Sequence, residues 1–70
     1  MKPGRYYRHK HALDAHIYVK SVVESTEAED TFEISWYVRR GPLNFHQKAA
    51  LTKEQQENWE ECSSDGMVPL

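Results

Sequence analysis

The feature that most restricts the fold of this chain is the alternation of residue types across residues 31–39. Phe32, Ile34, Trp36 and Val38 take every second position, and polar residues or tyrosine stand between them. Successive side chains of a β-strand point to opposite faces, so this period of two makes one apolar face and one wet face. We therefore expect a central antiparallel strand here, with the rest of the chain arranged to cover its apolar face.

The chain is short for a protein that must build its own hydrophobic core. Its 70 residues make one domain at most. A chain of this size buries only about 60% of the surface that its unfolded form exposes, so its stability margin is small. A second subunit would add buried apolar surface, and homo-oligomerisation is therefore left open. The predicted core consists of Ile17, Val19, Val22 or Val23, Phe32, Ile34, Trp36, Val38, Phe45, Ala49, Leu51 and Trp59.

Three other segments have the pattern of strands. They are residues 5–11, which are rich in aromatic and basic side chains, residues 15–25, and residues 45–51. Two adjacent valines interrupt the alternation in the second of these segments. This interruption predicts either a β-bulge near Ser21 or a valine that faces solvent at the strand end.

Turns are predicted between these strands by their polar residues and helix breakers. Residues 12–14 are expected to form a turn or loop, and the acidic residues 25–30 form a loose hairpin loop. The run Arg40-Gly41-Pro42 ends the central strand before the fourth one begins.

The C-terminal part begins with the signature of a short helix. Thr52 is followed three residues later by Gln55, which predicts a capping box and one or two helical turns over residues 53–58. Residues 60–62 add a last short strand. Residues 63–70 contain two serines, an aspartate, a glycine and a late proline, and we expect a disordered tail there. The predicted architecture is an all-β domain over residues 1–62, a small SH3-like barrel or bent antiparallel sheet of four or five strands.

Charge and cysteine content indicate the cellular compartment of the protein more than its function. The net charge is −2, and basic and acidic blocks alternate along the chain, which is typical of neighbouring strands that pair opposite charges. The single cysteine, Cys62, cannot form an internal disulfide. No secretory signal is recognised and no apolar run approaches the roughly 20 residues that span a bilayer. We expect a cytoplasmic protein without a membrane partner.

Three short motifs carry a resemblance to a known group of proteins. They are the opening Pro3-Gly4-Arg5-Tyr6-Tyr7-Arg8-His9, the middle Ser35-Trp36-Tyr37, and the closing Leu51-Thr52 with Asn58-Trp59-Glu60. Together they resemble small SH3-like β-barrel proteins encoded by bacteriophages, over residues 3–62. The resemblance implies a non-enzymatic accessory protein that binds a host or virion protein, and it supplies no functional residues.

The function expected from the residues themselves is binding. Exposed strand edges can accept a partner strand, and tyrosine and arginine are enriched at interface hot spots, so we predict a protein-interaction module. The alternative is a small nucleic-acid-binding barrel, in which aromatic rings stack on bases and cations follow the phosphates. The predicted binding residues are Tyr7, Arg8, Tyr37, Arg39, Arg40 and Lys48.

Catalytic and metal-binding signatures are weak. His9 and His11 form an H-x-H pair with His16 nearby, and zinc accepts such donors, but no carboxylate accompanies them in a recognised motif. Cys62 has acidic neighbours, which raise rather than lower a thiol pKa. We therefore predict no enzyme activity, no metal and no cofactor.

Overall fold

The fold is described by a computed structural model that covers residues 1–12, 15–40 and 42–70. It is all-β, with five antiparallel strands in one open sheet and one short helix, and this confirms the predicted fold class. The predicted turns at residues 12–14 and 40–42 include Leu13, Asp14 and Gly41, which lie outside the described residues. The elements are β1 (Tyr6–His9), β2 (His16–Glu24), β3 (Thr31–Arg40), β4 (Leu43–Thr52), α1 (Lys53–Gln56) and β5 (Trp59–Cys62).

The strands lie in the order β4-β3-β2-β1-β5. β3, which carries the alternating apolar residues, is therefore an interior strand that pairs with β2 on one side and β4 on the other. After α1 the chain crosses to the far side of the sheet, where β5 pairs with β1. The two edges of the sheet are thus β4 and β5.

One face of the sheet, called here the apolar face, carries the hydrophobic core. The register places Ile17 opposite Val38 and Val19 opposite Trp36. The ring of Trp36 lies 6.0 Å from that of Trp59 on β5, so the sheet bends until strands that are not neighbours touch. The buried core residues are Tyr7, Ile17, Val19, Ile34, Trp36 and Val38, with Met1, Val22, Phe32, Ala49, Leu51 and Trp59 packed against them.

A bulge in β2 accounts for the two adjacent valines. The β2–β3 register shifts between Val19 and Ser21, which confirms the bulge predicted near Ser21. As a result Val22 lies opposite Ile34 and packs against the core, whereas Val23 is 57% exposed. Both alternatives that the sequence left open therefore occur together.

The predicted capping box is present at the start of α1. The Gln55 N–H donates to Thr52 Oγ1 at 3.1 Å, and the Thr52 N–H donates to Gln55 Oε1 at 2.9 Å. The helix is shorter than predicted, ending at Gln56 rather than at residue 58. Of the helices in the described part of the chain, none is long and apolar enough to cross a membrane.

Residues 63–70, the segment expected to be a disordered tail, turn back beside β5. The Ser63 N–H donates to the Val68 carbonyl at 2.8 Å, and the Leu70 N–H donates to the Glu61 carbonyl at 2.9 Å. Pro69 forms an isolated antiparallel bridge with Cys62. This C-terminal tail therefore lies along the outer edge of β5.

Candidate functional site

β4 has the longer of the two sheet edges, at ten residues against four for β5. The Lys53 N–H donates to the Asp30 carbonyl at 3.0 Å, next to the Thr31–Thr52 pair of the β3–β4 ladder. Backbone groups alternate in direction along an antiparallel strand, so the odd-numbered residues of β4 bond to β3 and the even-numbered residues direct their N–H and C=O groups outward. In the part of the chain that the structure describes, no strand pairs with this outer side. The outward residues are Asn44, His46, Lys48 and Ala50.

The β4 edge carries few of the features that usually prevent strand addition. Natural edges are protected by prolines, bulges and charged side chains, lysine above all. The β3–β4 register runs without a shift from the Arg40–Leu43 pair to the Thr31–Thr52 pair. Lys48 is the sole charged residue of β4, and Pro42 stands just before the strand. The edge is therefore regular and accessible from Asn44 to Ala50.

An apolar groove of about 460 Å³ lies on the apolar face beside this edge. Phe45 and Gln47 of β4 form one wall, and Trp59 of β5 lies among the other lining residues. Phe45, a predicted core residue, is 47% exposed here, and Leu43 is 57% exposed. The groove is lined by Ala15, Ile17, Trp36, Val38, Phe45, Gln47 and Trp59.

Trp36 contributes an unpaired donor to this region. Its side chain is 7% exposed, and its indole N–H is buried without a hydrogen-bond partner within residues 1–12, 15–40 and 42–70. A buried donor without a partner costs about 1–3 kcal/mol. A carbonyl group that reached this N–H would remove that penalty.

A second depression, of about 350 Å³, flanks β4 on the opposite face of the sheet, called here the polar face. Val23 and Ala50 form apolar parts of its wall, and Glu33 and Lys48 supply opposite charges. A strand placed along β4 would direct alternate side chains toward the two faces. Side chains on the apolar face would then enter the groove beside Phe45, and those on the polar face would enter this second depression.

The polar face also carries a row of aromatic side chains across four strands. Tyr6 lies opposite Tyr18, Tyr18 opposite Tyr37, and Tyr37 opposite His46. The rings of Tyr6 and Tyr18 are 5.0 Å apart, and those of Tyr37 and His46 are 5.2 Å apart. This tyrosine row (Tyr6, Tyr18, Tyr37 and His46) is half-buried at its tyrosines and exposed at His46.

The structure separates the predicted binding residues of β1 from the others. Tyr7 is 7% exposed in the core, where its hydroxyl accepts a hydrogen bond from the Lys2 N–H at 2.8 Å. Arg8 donates from Nε to Glu60 Oε1 at 2.7 Å and from a terminal nitrogen to the Met67 carbonyl at 3.3 Å. Tyr7 therefore lies away from the polar face, and Arg8 is engaged by β5 and the tail.

The remaining predicted residues lie together on β3 and β4. Tyr37 is half-buried in the tyrosine row, and Arg39 and Lys48 are exposed on the same polar face. Arg40 closes the hairpin opposite Leu43, and its side chain lies outside the described atoms.

His9, His46 and Cys62 have structural contacts. The His9 ring packs edge-on against Trp59 at 5.0 Å, and the Ser35 hydroxyl and His46 Nε2 are 2.6 Å apart, which links β3 to β4. Cys62 is 2% exposed, and desolvation by burial raises the pKa of its thiol, with the Arg8 charge opposing that change. No group of three or more His, Cys, Asp or Glu side chains in the described ranges could hold a metal ion.

Sequence reasoning did not identify Leu43 or Phe45 as edge residues, or the tyrosine row as a unit. The alternation of β2 does place Tyr18 on the face opposite Ile17 and Val19. That signal shows which face Tyr18 occupies but not which residues lie opposite it. The register between strands supplies the missing information.

The chain matches no protein-family description, no curated protein and no solved structure.

Proposed function

We propose that this protein is a non-enzymatic interaction module that binds an extended segment of a protein partner as an added strand along β4. The observation that carries the proposal is the free, regular edge of β4 beside an apolar groove. The resemblance to bacteriophage-encoded barrels stays a prediction, and it would make the partner a host or virion protein.

Strand addition divides recognition between backbone and side chains. The outward N–H and C=O groups of His46 and Lys48 supply hydrogen bonds that do not depend on the partner's sequence, and the pockets for alternate side chains supply specificity. Side chains on the apolar face would enter the groove beside Phe45. On the polar face the exposed Lys48 side chain can pair with an acidic side chain of the partner. The preferred segment therefore alternates apolar residues with polar or acidic ones.

A selection with displayed random linear peptides tests this proposal. Peptides selected on the wild-type protein should show the alternating pattern, and their binding should be lost on Lys48→Pro, which removes one outward N–H and leaves the β3–β4 ladder intact. Lys48→Ala is the matched control, because it removes the charge but keeps the N–H. It should retain binding of peptides that lack acidic residues.

The proposal fails if the selected peptides bind Lys48→Pro as tightly as they bind Lys48→Ala. It also fails if bound peptide protects amides elsewhere from hydrogen exchange but leaves His46, Lys48 and Ala50 unprotected. Either result would move the binding surface away from the β4 edge.

The tyrosine row supports a second candidate, the binding of single-stranded nucleic acid. Base stacking on aromatic side chains is worth about 1–3 kcal/mol per base and tolerates any sequence. Arg39 and Lys48 are exposed on the same face and could contact phosphates. The net charge of −2 opposes this candidate, because it repels the nucleic-acid backbone.

Fluorescence anisotropy with a labelled oligothymidylate separates the two candidates. If the tyrosine row binds nucleic acid, affinity should fall with salt, fall on Tyr37→Ala and survive Tyr37→Phe, which keeps the ring. Lys48→Pro should weaken oligonucleotide binding no more than Lys48→Ala does, because both remove the same charge, whereas it should weaken peptide binding much more than Lys48→Ala does. Absence of binding at low salt would remove the nucleic-acid candidate.

A further inference from the structure

We infer that the segment that occupies the β4 edge is β4 of a second copy of this chain, paired antiparallel in the register centred on Gln47. The inference rests on the proposed function, since it names the occupant of the same edge. This pairing forms a symmetric dimer in which the sheets of the two copies make one continuous sheet.

The first argument is the length of the free edge. The outward groups run from Asn44 to Ala50, between Pro42, which has no N–H, and Thr52, whose N–H already donates to Gln55 Oε1. A two-fold axis at Gln47 places Asn44 opposite Ala50 of the second copy. The same axis places His46 opposite Lys48 of the second copy, so every outward group in the free stretch is paired.

The neighbouring registers leave groups unpaired or place like charges together. Outward groups must meet outward groups, so even-numbered residues must lie opposite even-numbered residues. The two-fold axis must therefore pass through a residue of β4 and not between two residues. The nearest alternatives to Gln47 are His46 and Lys48. An axis at His46 places Ala50 opposite Pro42, which cannot donate. An axis at Lys48 places two lysines directly opposite each other, which is destabilising, and it places Asn44 opposite the engaged N–H of Thr52.

The apolar face is self-complementary in the same register. Phe45 lies beside Ala49 of the second copy, so a large side chain meets a small one. Leu43 lies beside Leu51, and Gln47 lies beside its own copy. The pairing therefore covers the exposed side chains of Leu43 and Phe45, which are the large apolar residues of this edge.

The other edge of the sheet determines that the assembly closes. Backbone groups of Glu61 and Ser63 on the outer side of β5 are bonded to Leu70 and Val68 of the same chain. β4 of one copy cannot pair with that occupied edge of another, so head-to-tail growth is blocked. What remains is the β4–β4 contact, which uses the same surface on both copies and closes as a two-fold dimer.

Mass measurement by light scattering over a dilution series tests the inference. The wild-type protein should have the mass of a dimer and dissociate on dilution. Lys48→Pro, which removes one outward N–H from each copy at the centre of the interface, should raise the dissociation constant at least about tenfold. Lys48→Ala keeps that N–H and should remain dimeric, and circular dichroism should show both variants folded.

Disulfide trapping tests the register. In the non-hydrogen-bonded pair at Gln47 the two Cα atoms should lie about 4.5 Å apart, within the range that a disulfide spans. Gln47→Cys should therefore cross-link rapidly between copies. Ala50→Cys is the matched control on the same edge, and it should not cross-link because each copy's residue 50 faces Asn44. Cys62 is buried and should not contribute.

The outcomes separate this inference from the function on which it rests. A wild-type monomer at all concentrations overturns the dimer, and the peptide selection then decides the proposed function by itself. A dimer unaffected by Lys48→Pro, or one that cross-links as readily through Ala50→Cys, overturns the β4 register. A monomer that also selects no peptide sensitive to Lys48→Pro overturns both.

Discussion

The two edges of this sheet differ in length, in charge and in what covers them. β4 extends for ten residues with one lysine, and β5 extends for four residues of which Glu60 and Glu61 are acidic. The outer side of β5 is occupied by the C-terminal tail, with Pro69 among the paired residues. Short length, charge, proline and a covering segment are the features that keep natural edges from pairing.

The difference indicates which edge is open to other molecules. Sheets with two open edges can pair edge to edge into an assembly that grows without limit. A sheet with one covered edge can pair only at the other edge. The tail covers the outer side of β5 and leaves β4 as the uncovered edge among the described residues. The binding function and the closed dimer proposed above both depend on this asymmetry.

The largest effect is expected where the two halves of the sheet meet. Trp36 on β3 contacts Trp59 on β5, and Trp36→Ala should lower the free energy of unfolding by about 3–5 kcal/mol. Urea unfolding followed by circular dichroism measures this loss. Tyr37→Ala, the adjacent half-buried position on the polar face, should cost clearly less. Equal losses would contradict the assignment of Trp36 to the core.

Two adjacent proline substitutions compare the inner and outer sides of β4. Gln47→Pro removes an N–H that bonds to β3 and should lower the free energy of unfolding by at least about 2 kcal/mol. Lys48→Pro removes an outward N–H and should cost less than about 1 kcal/mol in the monomer. Urea titrations at concentrations that favour the monomer give both values. The reverse ranking would mean that the outward residues are the odd-numbered ones.

Two glycine substitutions test whether the tail protects β5. Gly66 has a φ of +75°, and an added Cβ would lie 2.7 Å from His16 Cγ, whereas Gly4 has a φ of +78° with no atom within 4 Å. Both Gly→Ala changes should cost about 1–2 kcal/mol for the left-handed backbone. Gly66→Ala should cost about 1–3 kcal/mol more for overpacking.

The same pair of variants reports on the β5 edge. Gly66→Ala should loosen the tail and produce species heavier than the dimer in light scattering, because β5 then becomes available. Gly4→Ala should not. Unchanged association in Gly66→Ala, with the stability loss present, would show that the tail is not what keeps β5 from pairing.

The smallest effect concerns the pH dependence of the tail. The Ser63 hydroxyl, and then the Met67 N–H, donate to Asp65, and these bonds hold the pKa of its carboxyl below the ordinary value of 3.8. Because the pKa is lower in the folded state, the ionised carboxyl of Asp65 stabilises the folded protein. This stabilisation is fully present above pH 3.8 and is lost as the pH falls through the lowered pKa.

Titration by NMR checks this prediction. The carboxyl of Asp65 should titrate with a midpoint below 3.8, and the Met67 amide shift should follow it. A midpoint at or above that value would contradict the hydrogen-bonded turn. Asp65→Asn should remove the titration from the Met67 amide.

Local patterns in the sequence predict the local features of this fold. The alternation across β3, the bulge beside Ser21 and the capping box at Thr52 each depend on residues close together in the chain, and the structure contains all three. β4 is longer than predicted because its pairing with β3 begins at Leu43, directly after Pro42, and continues to Thr52. Leu43 continues the apolar alternation of Phe45, but the breaker residues just before it hide the start of the strand.

Features that depend on distant pairing could not be predicted from the sequence. The crossing that places β5 beside β1, the burial of Tyr7 and the alignment of the tyrosine row all depend on strand order and register. The tail pairs with β5 through backbone groups, which any residue supplies, so its polar composition gives no sign of this pairing. The openness of β4 is visible only once the position of every other strand is known.

Residue-resolved amide hydrogen exchange of β4 in dilute, monomeric protein tests the asymmetry of the two edges most directly. We predict slow exchange at Phe45, Gln47 and Ala49 and fast exchange at His46, Lys48 and Ala50, with Ser63 and Leu70 slow beside β5. Raising the protein concentration should slow the even-numbered amides of β4. Equal protection along β4 in the monomer, or fast exchange at Ser63 and Leu70, would contradict the account.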